Sequence, residues 1–249
     1  MPYLLAGNNN ENFVISGEGN TLKYELFSNG SIIDKYINAR PEAHLEKGKR
    51  KVVMYTDRSH LASEQSDVIS GDFLPDYVQL MGVNDKFMGC IGGDRIYGNR
   101  GKDLLYGNEG PDSIYGNMDE DIIYGGKDAD LIYGNLDNDK LYGNMGADYL
   151  YGGQGDDVIY AGQGNDFVYG NKGNDTLYGN KGADIFVCTK GFDVIKDFWG
   201  LDGDKILVAS VTSAVISEKD GSTLVTSSEG QLLLEGFARQ FFDESQYLI

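Results

Sequence analysis

One aspartate recurs every nine residues without a miss, at Asp94, Asp103, Asp112, Asp121, Asp130, Asp139, Asp148, Asp157, Asp166, Asp175 and Asp184. Carboxylates at a fixed interval are oxygen donors arranged for a hard divalent cation. The net charge of −18 favours such ions and repels nucleic acid and anionic membrane. Other chemistry is hard to find. No HExxH, GxSxG or phosphate-loop pattern occurs, CxxC spacing is absent, and the only histidines are His44 and His60. The chain therefore reads as a non-enzyme.

The aspartates sit in a larger repeat. Residues 89–187 divide into eleven nonapeptides, among them GNRGKDLLY, GNEGPDSIY, GGQGDDVIY and GNKGNDTLY, with Asp always sixth. The first position is Gly in ten of them, with Ala161 the exception, and the eighth is always apolar, from Ile96 through Ile132 and Leu150 to Phe186. The second position is Asn in seven and Gly in three, residues that tolerate φ > 0. Tyr fills the ninth position ten times.

This pattern dictates the elements that hold the aspartates. The last three residues of each unit predict a short strand with its middle side chain inward, and the first six predict a turn. Two units make an eighteen-residue coil, and parallel coils stack about 4.8 Å apart, so Asp94 faces Asp112 along one edge. Bare carboxylates stacked in this way repel. A Ca²⁺ between two turns, with one carboxylate from each and backbone carbonyls completing its shell, converts that repulsion into cohesion.

The motif resembles the RTX (repeats-in-toxin) calcium-binding nonapeptide, GGxGxDxUx, over residues 89–187. The resemblance implies an all-β, right-handed parallel β-roll. It also implies that one turn supplies the carbonyls of its second and fourth positions plus Asp, while the turn eighteen residues on supplies its first and third plus Asp. One site would then use Asn99, Gly101 and Asp103 with Gly116, Met118 and Asp121. The same rule adds Asn108, Gly110, Asn117, Asp119, Gly126, Asp128, Asn135, Asp137, Asn144 and Gly146, for about nine Ca²⁺ in all. Asp119, Asp128 and Asp137 depart from the pattern, replacing the fourth-position glycine in three successive units, and Pro111 stands at a fifth position.

Outside the array, Asp67, Asp76 and Asp85 keep the nine-residue interval, with Ile69, Val78 and Phe87 two residues after each. They lack the glycines, so residues 67–88 are expected to be degenerate capping repeats; Asp193 with Ile195 continues the register on the other side. Residues 1–66 predict β structure through TLKYELF and SIIDKYI around Asn29-Gly30, a preferred hairpin pair. The basic run at residues 47–51 predicts a solvated loop. Residues 188–249 predict a β-rich cap through KILVA, STLVTS and QLLLEGF. Their ending, FARQFFDESQYLI, resembles the tail with which RTX proteins enter type I secretion, and equally suits a final strand closing the core. No ordinary cleavable leader begins the chain, and no apolar stretch is long enough for a membrane helix. Cys90 and Cys188 are expected to stay unbridged, since stacking separates them by roughly 26 Å.

Tyr97, Tyr115, Tyr133, Tyr151 and Tyr169 should form one ladder, and Tyr106, Tyr124, Tyr142, Tyr160 and Tyr178 a second. Such ladders stabilise each sheet, or present an aromatic surface to a glycan or a cell-surface partner. The expectation is a secreted, cell-surface-associated calcium-binding protein with a structural or adhesive role. The alternative is a carbohydrate-binding module acting with an extracellular polysaccharide-modifying enzyme.

Overall fold

The computed structural model describes residues 3–6, 11–18, 21–28, 31–39, 68–71, 75–80, 82–200, 202–209 and 213–249. Asp67, the basic run at 47–51 and the Asn29-Gly30 pair lie outside them. Near the N-terminus, Tyr3–Ala6, Glu11–Glu18, Thr21–Ser28 and Ser31–Ala39 form a four-stranded antiparallel sheet. Ser28 pairs with Ser31, the register expected of a hairpin between TLKYELF and SIIDKYI.

From Val68 onward the chain winds into a parallel roll. Each strand pairs with those eighteen residues before and after it, so that Ile114 lies between Ile96 and Ile132 and Tyr115 between Tyr97 and Tyr133. Alternate strands build two opposing sheets. One contains Arg95–Arg100, Ser113–Met118 and Leu131–Leu136; the other contains Leu104–Glu109, Ile122–Lys127 and Lys140–Met145. The eighth-position side chains fill the space between, and Ile96, Leu105, Ile114, Ile123, Ile132, Leu141, Leu150, Ile159, Val168, Leu177 and Phe186 are fully buried. Each contributes about 1.5–3 kcal/mol.

The strands differ from the triplets expected. They run for six residues, from the seventh position of one unit to the third of the next, as in Ser113–Met118, and only positions four to six turn. Identical coils explain the difference. Because Asn117 lies between Asn99 and Asn135, stacking supplies parallel pairing even to a residue whose φ is 85°.

At the C-terminal end, Val215–Lys219, Ser222–Thr226 and Gln231–Leu234 form an antiparallel meander joined in parallel to Lys190–Ile195. KILVA, STLVTS and QLLLEGF each supply a strand, as expected. Phe198, Phe237, Phe242 and Tyr247 pack edge to face over the last coil. The final residues are part of this plug, since Leu248 bridges Ile206 and the Ile249 amide donates to the Ile206 carbonyl at 3.0 Å. Cys90 and Cys188 form no disulfide with each other.

Stacking also explains the fourth-position glycines. Gly164 has φ +141°, and a methyl group placed on it would meet the carbonyl oxygen of Gly146, one coil earlier. Gly221, in the cap hairpin, has φ +77° with nothing near its missing Cβ. Gly164→Ala should therefore lower stability by roughly 3 kcal/mol or more, through strain plus a backbone clash, and Gly221→Ala by about 1 kcal/mol, through strain alone. Urea denaturation in saturating calcium measures both, and equal losses would contradict the close coil-to-coil packing.

Candidate metal centre

The turn that carries each aspartate is set by two left-handed residues. All second and fourth positions of the array have positive φ, from Cys90 (80°) and Gly92 (141°) to Asn180 (66°) and Gly182 (130°). The chain thereby reverses within three residues and delivers the sixth-position carboxylate inward. Every array aspartate is buried, at 2% exposure or less.

Three of the four polar atoms of each such residue are committed to the stack. The Asp103 amide donates to Asp121 Oδ1 at 2.7 Å, Asp103 Oδ1 accepts from the Asp85 amide at 2.7 Å, and the Asp103 carbonyl accepts from the Ile122 amide at 2.9 Å. The same amide-to-carboxylate bond runs up both sides of the roll, from Asp94 to Asp112 (2.7 Å) through Asp121 to Asp139 (2.7 Å) and Asp157 to Asp175 (2.9 Å).

The fourth atom is the exception. Oδ2 of Asp103, Asp112, Asp121, Asp130, Asp139, Asp148, Asp157, Asp166 and Asp175 is buried without a hydrogen-bond partner. Nine such atoms in register are a systematic feature, because a buried carboxylate oxygen without a partner is costly. Burial is the largest influence on these groups and lifts Asp166 to about 6, Asp112 to about 7, Asp121 to about 8 and Asp139 to about 9. Neighbouring carboxylates add to the rise, with Asp103, Asp119 and Asp137 acting on Asp121.

The residues fit a hard cation. Around the point where a Cβ on Gly98 would stand, Asp103 Oδ2 and the Gly116 carbonyl oxygen converge at 2.5 and 2.7 Å, and the same two-oxygen cradle repeats at Gly116 with Asp121 and Gly134. The structure thus joins Asp103 to Gly116, two members of the expected donor set. Among the described residues no three His, Cys, Asp or Glu side chains form a group able to hold a metal. A cation here would draw the rest of its shell from backbone carbonyls, which suits calcium.

Third- and fourth-position groups follow two patterns. The amides of Gly92, Gly146, Gly155 and Gly164 donate to the third-position carbonyls of Glu109, Gln163, Lys172 and Lys181 in the next coil. The amides of Gly101, Gly110 and Asp119 donate instead to Oδ2 of Asp119, Asp128 and Asp137, each at 3.1 Å. All three aspartates retain a left-handed backbone, with φ of 71–74°.

One ladder member escapes the sequence period. Asp204 accepts the Asp184 amide through Oδ1 at 3.0 Å, twenty residues on rather than eighteen. Its Oδ2 accepts the Trp199 amide at 2.8 Å, and Asp193 Oδ2 accepts the Thr189 hydroxyl at 3.2 Å. Protein donors therefore satisfy the second oxygen at this end. On the other side, Asp76 and Asp85 join the same ladder, their amides bound to Asp94 and Asp103.

The raised carboxylates make the roll sensitive to pH when calcium is chelated. Their folded pKa values lie above the unfolded value of 3.8, so their favourable contribution is complete below about pH 4 and is lost as pH rises through the range from about 6 to about 9. Circular dichroism in chelator should show β structure at about pH 5 that declines toward pH 9. A signal constant across that range would contradict the buried carboxylate column.

The RTX calcium-binding nonapeptide-repeat profile matches residues 88–123, 97–132, 115–150, 124–159, 151–186 and 160–195, which together cover 88–195 without a gap. No curated protein matches the chain. The repeat profile coincides with the parallel roll and its aspartate column, so residues 88–195 are RTX calcium-binding nonapeptide repeats.

Proposed function

We propose that this protein is a secreted, non-catalytic calcium-binding roll that folds on meeting extracellular calcium and serves a structural or adhesive role at the cell surface. The observation that carries the reading is the column of buried aspartates whose second oxygens have no protein partner. Bridging those oxygens removes the main electrostatic penalty of stacking, so metal binding and folding become one event. Affinity should suit an extracellular module, roughly 10⁻⁴ to 10⁻³ M. At cytosolic calcium the array then stays unfolded. An export signal in the final residues would be legible in that state, whereas in the folded cap Tyr247 and Leu248 are buried. Among the described residues no helix is long and apolar enough to cross a membrane.

A carbohydrate-binding role is the second reading. It is favoured by two grooves beside the tyrosine ladders, of about 750 and 910 Å³; the first is lined by Tyr142, Tyr160, Lys127 and Lys181. Binding to a panel of extracellular polysaccharides separates the two readings.

A calcium titration followed by circular dichroism tests the first reading, and a spectrum indifferent to both calcium and chelator would sink it. The paired variants Asp139→Ala and Asp204→Ala refine the test. Asp139 has a partnerless oxygen facing the interior, so its loss should lower calcium stoichiometry. Asp204 has both oxygens bound to amides, so its loss should leave stoichiometry unchanged and cost about 1–3 kcal/mol of stability. Equal stoichiometry in the two variants would contradict the assignment.

A further inference from the structure

The three fourth-position aspartates stand where every other unit of the array has glycine. Glycine occupies that position with φ from 109° to 154°, whereas Asp119, Asp128 and Asp137 hold the left-handed region at 71–74°. An L-residue there costs about 1–2 kcal/mol, and each adds a negative charge to an already acidic wall. The hydrogen bonds they make are an exchange rather than a gain, since the amides of Gly101, Gly110 and Asp119 give up the carbonyl acceptor used elsewhere for a carboxylate. Nearby lysines are shared with other carboxylates: Lys102 pairs with Glu120 at 2.7 Å and Lys127 with Glu109, while Asp119 and Asp137 act on Lys102, and Asp128 on Lys127, only at longer range.

The added charges lie beside the partnerless oxygens. Asp119 reaches across to Gly101, whose turn carries Asp103, and stands two residues before Asp121; both of these aspartates are at most 2% exposed, with Oδ2 unpartnered. Asp128 stands in the same relation to Asp112 and Asp130, and Asp137 to Asp121 and Asp139. Taking over the amide also relieves the third-position carbonyl of Met118, a member of the expected donor set, of the bond that the Glu109 and Gln163 carbonyls accept.

We propose that Asp119, Asp128 and Asp137 set the order in which the array takes up calcium, making the turn pairs 101/119, 110/128 and 119/137 its tightest sites. They act through charge and through the freed carbonyl, not as a third carboxylate ligand, consistent with the lack of any three-carboxylate group among the described residues. The roll then fills and orders from its middle. This rests on the calcium reading above.

The test uses the full chain with all three residues changed to Asn. Asparagine tolerates the left-handed region and keeps an oxygen to accept the amides, but removes the charge. By calorimetry the tightest class of sites should weaken about tenfold, the effect of one unit charge on a divalent ion through roughly 6 Å of water, with unchanged stoichiometry at saturation. The matching triple Gly variant, which relieves the backbone but also returns the amides to the third-position carbonyls, should weaken that class at least as much. Hydrogen exchange at limiting calcium should protect amides over residues 113–142 of the wild type first. Wild-type protection that begins at either end, or titrations of the Asn variant and wild type that superimpose, would overturn the filling order while leaving calcium binding intact. A wild-type chain that takes up no calcium would overturn the calcium reading itself.

Discussion

Everything in the roll follows from placing like upon like. An eighteen-residue coil stacked in register sets each side chain against its own kind about 4.8 Å away. For isoleucine and leucine that is a dry, well-packed column, and for tyrosine a stack of rings. For aspartate it is a buried line of like charges, nine of them, from Asp103 to Asp175, with an oxygen that no protein group satisfies. The fold thus concentrates its instability in one residue type at one position. Whatever neutralises that column governs whether the roll exists.

The chain neutralises the column in two ways. Through the array the second oxygen has no protein partner, and the calcium reading gives it to an external cation. At the C-terminal end it uses its own donors, the Thr189 hydroxyl on Asp193 and the Trp199 amide on Asp204. Asp204 stands twenty rather than eighteen residues after Asp184, and at this irregular position its second oxygen accepts a backbone amide. The cap's aromatic cluster then covers the last apolar layer.

How much of this was legible depended on whether a feature repeats. The inward eighth position, the buried sixth and both tyrosine ladders follow from one period, and each lies where the periodicity placed it. Strand length did not, because positions one to three look like turn residues in isolation and pair only because an identical segment lies above and below. Asp204 was hidden by its insertion. The amide-to-carboxylate bonds have no sequence signal, since they join residues eighteen apart through the backbone of one and the side chain of the other. The fourth-position aspartates were visible as departures, but what they replace, an amide-to-carbonyl bond, is evident only in three dimensions.

The tyrosines show how stacking also limits what the surface can do. Successive rings lie 4.5–5.1 Å apart and within 17° of parallel, so each inner ring turns both faces toward its neighbours. The first ring of the second ladder is covered by Lys86, whose ammonium stands 5.3 Å from the centre of Tyr106. A sugar cannot lie flat on a face already in contact with another ring. What remains for a partner is a row of ring edges and hydroxyls beside a shallow groove, a surface suited to hydrogen bonding along its length rather than to stacking at one point. Tyr149 stacks on Phe167 at 4.8 Å on the same sheet as the first ladder, widening its aromatic strip. The same stacking that strengthens each sheet therefore reserves the inner ring faces for the fold, and recognition along the ladders would work through ring edges.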